Sequence, residues 1–258
     1  MAMIALGPNA NPSASAIQAD LARQWPSLPK PQASESKEDT FSFRIASLDV
    51  IAGHMPAPIP WSNLEGPCAN SWIWKEAADV LRKHATHLIL TVSGEEGPVE
   101  RMKLLTQVTT SILATCPEAV GVFWTHAGLV IQPPLFREFA TEFLPDGVPL
   151  YIWVDFRVGK SPSGQTIGFT TGMEALGHME FETQDSPEPP GELRQRFFGL
   201  GNYVVTNGPV IRDGDTIGED ANERIRVVYA DSAFGHKDKV MRLEYSPTKA
   251  KKPWWRPW

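Results

Sequence analysis

The chain has 258 residues, 42% of them hydrophobic and 21% charged, so it is long enough to bury a substantial core and lies far from disordered compositions. A formal net charge of −6, with no Lys/Arg-rich helix or stripe before the C-terminal tail, argues against nucleic acid and favours a basic partner. No segment approaches the length of a membrane span and the N-terminus lacks a basic n-region, so a cytoplasmic protein of two packed halves is expected.

Residues 1–7 read as a strand. Ser13 or Ser15 can cap a helix in which Ile17, Leu21 and Trp25 recur every four residues, and Pro26 and Pro29 stop it. The polar run from Lys30 to Asp39 reads as a mobile loop, and Thr40 to Ile45 and Leu48 to Met55 read as extended segments. A proline-rich passage, MPAPIPWSNLEGPC, precedes a helix from about Trp74 to His84 and a strand at 87–92. That order, βαββαβ, is the order of a ferredoxin-like unit. A second pass of the same rhythm follows. Its helix, Val99 to Thr115, carries Met102, Leu105, Val108 and Ile112 on one stripe and Thr106, Thr109 and Thr110 on other faces. AVGVFW, a tight turn at Thr125 to Gly128, LVIQP, the short helix LFREFATEF and PLYIWVDFRV complete it.

These passes form an N-terminal α/β part, 1–158, and the loop GKSPSG joins it to a C-terminal α+β part, 165–246. There Leu193, Phe197, Leu200 and Val204 mark one helix face, ended by Asn207-Gly208, a pair suited to a left-handed cap. RIRVVY and VMRLEY then alternate charged with apolar residues, as half-buried strands do. Residues 247–258 are a basic tail holding Trp254, Trp255 and Trp258, for which exposure and docking on the body are equally consistent.

The chemistry-bearing residue types are scattered. Asp213, Asp215, Gly218 and Asp220 resemble part of a calcium loop, but Ile217 holds the fifth position and Arg224 the twelfth, which excludes an EF-hand and leaves an acidic turn. His178, Glu180 and Glu182 fall on one face if the strand extends through them. That trio suits a solvated, partner-contacting strand edge better than a metal site, since no second His or Cys lies near. Cys68 precedes the expected helix and would act as a nucleophile only if His54 or His84 approached; the plainer reading is a buried thiol beside Trp61 and Trp72. Cys68 and Cys116 lack CxxC spacing, which argues against a disulfide framework or structural zinc. Neither GxGxxG nor GxxxxGK[ST] occurs, and no cofactor is expected.

At MPAPIPWSNLEGPCANSW, LLTQVTTSILATCPEAVGVFW, PLYIWVDFRV, TTGMEALGHMEFE and GPVIRDGDTIG the chain resembles a bacterial family, domain of unknown function 4261, over nearly its whole length. The last two motifs, with YVVTNGPVI, are also similar, more weakly, to the Suppressor of Fused superfamily. Bacterial members of that superfamily are inferred to be immunity proteins that neutralise polymorphic toxins. The resemblance supplies no catalytic residues. With the element order above, the expected fold is α+β, ferredoxin-like passes packed on a Suppressor-of-Fused-like half; the resemblance implies a non-enzymatic protein-binding module whose polar motif is matched by His178, Glu180, Glu182, Asp213 and Asp215, and the chain's acidity suits a toxin with a basic surface. The alternative is a small-molecule hydrolase using Cys68 with His54, or a metal at His178 and Glu180.

Overall fold

Strand β1 (Ala2–Leu6) is apolar throughout because it lies inside a sheet that is covered on both faces. It opens the first of two units in a computed structural model that describes residues 1–37, 39–218 and 223–245. Unit 1 comprises residues 1–155 and 171–178; unit 2 comprises 156–170 and the chain from 179 onward. Asp220 and the tryptophan-rich tail lie outside the described residues.

In unit 1, helix α1 (Ala14–Gln24) starts at Ser13, whose Oγ accepts the Ala16 N–H, as the sequence suggests. Strands β2 (Gln32–Lys37), β3 (Thr40–Ile45) and β4 (Leu48–Met55) follow. Next come α2 (Trp61–Ala69), α3 (Ala77–Leu81), β5 (Thr86–Gly94) and α4 (Pro98–Thr115). The run ends with β6 (Ala119–Trp124), β7 (Leu129–Ile131), α5 (Pro133–Phe143) and the short α6 (Leu150–Trp153). All seven strands share one sheet, in the order β2-β3-β4-β5-β1-β6-β7, and each registered pair is antiparallel.

This topology corrects the ferredoxin-like expectation. A split βαβ unit places the first strand beside a parallel neighbour, whereas β1 runs antiparallel to both β5 and β6. The two passes therefore join through β1 into a single antiparallel sheet. Three local expectations also change. The polar stretch before Asp39 is a strand, β2, because it pairs with β3 at the sheet edge and keeps both faces in water. The proline-rich passage contains helix α2, with Pro67 inside it and Leu64 and Cys68 buried four residues apart. The helix expected from Trp74 shrinks to α3.

Residues paired across a ladder share a face of the sheet. Ala5, His87 and Met55 line up on one face, where α2 and α3 pack through Leu64, Cys68, Ala77 and Leu81. Ile4, Leu88, Val122 and His54 line up on the other. There α1 closes over His54 and Leu88, α4 lies beside α1, and Phe136 of α5 meets Trp124 at 5.6 Å between ring centroids. Helix α4 is buried almost all round. Thr106, Thr109 and Thr110, expected away from the apolar stripe, are buried as well and return their hydroxyl protons to the Met102, Leu105 and Thr106 carbonyls at 2.7–2.8 Å.

Unit 2 holds β8 (Asp155–Lys160) and β9 (Thr166–Thr171), apart from their terminal residues Asp155 and Thr171, with β10 (Phe181–Ser186), helix α7 (Pro190–Asn207), β11 (Thr216–Ile217), β12 (Ile225–Asp231) and β13 (Lys239–Tyr245). Its sheet order is β11-β12-β13-β10-β9-β8, with β10 and β13 parallel. The segment PLYIWVDFRV is thus split: its first half is the helical turn α6, and its second half opens the second sheet. Helix α7 seats Leu193, Phe197 and Val204 on that sheet and stops at Gly208, whose positive φ of 82° suits glycine but whose ψ of −171° departs from the left-handed cap expected there. Gly168 admits this contact, since a Cβ there would stand 2.9 Å from both the Arg157 carbonyl oxygen and Phe197 Cε2. The β9–β10 connection returns to unit 1, where Met173 and Leu176 are buried.

Candidate functional site

The trio expected on one wet strand face is not assembled. Strand β10 begins only at Phe181, so alternation does not reach His178, which follows the 3-10 turn Glu174–Leu176 and bonds its N–H to the Met173 carbonyl at 3.0 Å. His178 belongs to unit 1, Glu180 and Glu182 to unit 2. Burial of the His178 ring pushes its pKa down, favouring the neutral imidazole. Both glutamates are buried, and β10 is interior to its sheet, which corrects the expected solvated edge.

Glu182, fully buried, is held by hydrogen bonds. Arg242 donates to Oε1 from Nε at 3.1 Å and Nη2 at 2.7 Å, Ser232 Oγ donates to Oε2 at 2.9 Å, and the Ala233 N–H reaches both oxygens at 3.1–3.2 Å. The effect is to fold the segment after β12 back over the sheet, where Phe234 stacks on Phe169 at 4.8 Å. Glu180 Oε2 accepts the Thr170 hydroxyl at 2.7 Å, and the Phe181 N–H donates to that same hydroxyl at 2.8 Å. Asp213 and Asp215 are exposed, but each braces the turn it sits in. Asp213 Oδ1 accepts the Tyr229 N–H at 2.8 Å and Asp215 Oδ2 accepts the Arg212 N–H at 2.7 Å, with Gly214 at φ 86° between them. The polar signature that suggested a binding face thus has assigned work inside unit 2.

The alternative dyad is taken apart by the sheet of unit 1. Cys68 packs with Ala5 on the α2/α3 face, whereas His54 pairs with Leu88 and points to the α1 face. His84 is no substitute base. Its Nε2 accepts the Ile59 N–H at 2.7 Å and its Nδ1 donates to the Leu81 carbonyl, so both ring nitrogens are engaged and burial lowers its pKa. Cys68 lies in the last turn of α2, not before a helix, and burial raises its pKa, the opposite of what an attacking thiolate needs. Among the described residues, no three His, Cys, Asp or Glu side chains are grouped to hold a metal ion, and no helix is long and apolar enough to cross a membrane.

What sequence reasoning missed is where the acidity resides. Unit 1 carries 10 Lys and Arg against 17 Asp and Glu, a charge of −7, while unit 2 carries 14 against 13, a charge of +1. The signal was present in the sequence but needed the correct boundary. Two grooves open on unit 1. One, of about 450 Å³, lies between the start of α1 and the β2–β3 hairpin, is rich in serine hydroxyls and holds His54. The other, of about 410 Å³, runs between Leu28, the β3–β4 hairpin and α4, with Glu96 and Glu100 on its wall.

Residues 163–244 match the family model described as Domain of unknown function (DUF4261). The motifs around Trp61, in α4–β6 and at 149–158 lie outside the matched segment. No curated protein and no solved structure matches the chain.

Proposed function

We propose, taking the membership of residues 163–244 in DUF4261 as the premise, that the chain is a non-enzymatic, cytoplasmic protein-binding module, an immunity protein that masks a toxin enzyme with a basic surface. The observation that carries this reading is the concentration of the entire acid excess in unit 1. A unit with a formal charge of −7 attracts a basic partner over several ångströms and raises the rate of encounter. Unit 2 then serves as the scaffold, since its acidic residues Glu182, Asp213 and Asp215 are engaged in its own turns and ion pairs, and unit 1 supplies the contact.

Capture of a tagged protein from its native lysate, with mass spectrometry of the eluate, tests this. One stoichiometric partner of high pI is expected, retained at low ionic strength and released progressively as salt shortens the screening length from ~10 Å at 0.1 M. A partner indifferent to salt, or no partner at any ionic strength, overturns the reading.

A further inference from the structure

The second groove of unit 1 brings three features together. Its floor is apolar: Ile45, Leu48 and Leu104 are buried and Leu28 is half-buried beside them. Its wall is acidic, with the Glu100 carboxylate more than half exposed and Glu96 bonded through Oε1 to the Ser47 hydroxyl at 2.7 Å. Along the same stretch of α4, Gln107 turns inward, and its Oε1 is shielded from solvent with no hydrogen-bond partner among the described residues. A sequestered carbonyl oxygen left unbonded costs stability and is met by a donor when one is supplied.

We infer that this groove receives an arginine side chain from a protein partner, its methylene stem on the Leu28–Leu48–Leu104 floor and its guanidinium between the Glu100 carboxylate and Gln107 Oε1. The inference rests on the protein-binding reading above and names the side chain it grips. Arginine fits the chemistry because its five N–H donors form a planar fork able to serve a carboxylate and an amide oxygen together, while its stem lies on apolar surface. The surrounding charge of −7 adds to the attraction. Lys103 acts as the resident competitor. It lines the same groove and pairs with Glu100 at 3.0 Å, but both partners are partly exposed, so the pair is weak and exchangeable.

That competition gives the test a sign. The probe is the capped tripeptide acetyl-Gly-Arg-Gly-amide, titrated into the full chain while the Gln107 side-chain amide and Leu104 methyl resonances are followed by NMR. The neutral citrulline tripeptide serves as the control. Saturable shifts at both groups with arginine and none with citrulline are expected. Glu100→Gln should weaken binding, and Lys103→Gln should tighten it, each by about twofold to fivefold, the scale of an exposed ion pair. Equal shifts with citrulline, no shift at Gln107, or weaker binding by the Lys103→Gln protein overturns the proposal. Both substitutions are at solvent-accessible positions, and an otherwise unchanged spectrum verifies the fold. If partner capture is undiminished in a Glu100→Gln protein whose affinity for the peptide has fallen as expected, the groove assignment falls and the binding-module reading stands.

Discussion

At Glu182 a carboxylate sits where only complete hydrogen bonding tolerates it. Its side chain has no solvent exposure, and its charge is matched by Arg242, which retains 24% side-chain exposure. The asymmetry matters energetically. Arg242→Met strands a buried anion and should cost about 3–5 kcal/mol, whereas Glu182→Gln leaves an arginine that can turn to water and should cost only about 1–3 kcal/mol. Urea midpoints of the two variants check the order; equal losses would mean that the pair is already hydrated. The sequence placed His178, Glu180 and Glu182 together by period-two alternation, but could not show that the strand starts at Phe181 or that Arg242, sixty residues later, closes on Glu182. The Cys68–His54 separation was illegible for a related reason: which face of β4 carries His54 depends on its pairing with Leu88.

Elements with one strong face were readable, and elements without one were not. Helices α1 and α7 and strands β12 and β13 announce themselves because each presents a single buried stripe to one partner surface. Strand β2 has no buried residue at all and owes its existence to the ladder it makes with β3. Helix α2 was masked by its prolines, yet the spacing of Leu64 and Cys68, four apart, was the available signal. The contact of α7 with its sheet gives an element-scale prediction from two glycines. Gly168→Ala forces a Cβ against the Arg157 carbonyl and the Phe197 ring and should cost ~1–3 kcal/mol, the usual penalty of overpacking. Gly199→Ala, on the exposed side of α7 with nothing within 4 Å, should stabilise by up to ~1 kcal/mol through helix propensity. Thermal melts that move in the same direction for both would refute this account of how α7 is seated.

At the scale of the whole chain, the two units are joined by three chain crossings, before Phe156, after Thr170 and before Met179. The middle stretch, 171–178, contributes Met173 and Leu176 to the core of unit 1 while both its ends continue into strands of unit 2. Loss of unit 2 should therefore loosen unit 1. Cys68 and Cys116 report this, because both are buried, both have thiols pushed up in pKa by burial, and both lie in unit 1. In the unaltered protein, a thiol reagent should label them slowly at neutral pH. In the Arg242→Met protein, whose lesion lies entirely in unit 2, labelling should quicken. An unchanged rate would show that the units open independently.

The same threading bears on how such a protein can be cut, joined or inherited. The residues that match the family model, 163–244, begin after β8 and so omit the edge strand of their own sheet, yet include eight residues belonging to the other unit. A gene segment coding for that span alone would yield a sheet missing one border and a loop missing its dock. In this chain the border strand and the seat of Met173 and Leu176 are supplied by residues outside 163–244. The recombination boundary that keeps the fold whole thus lies outside the limits of the sequence match.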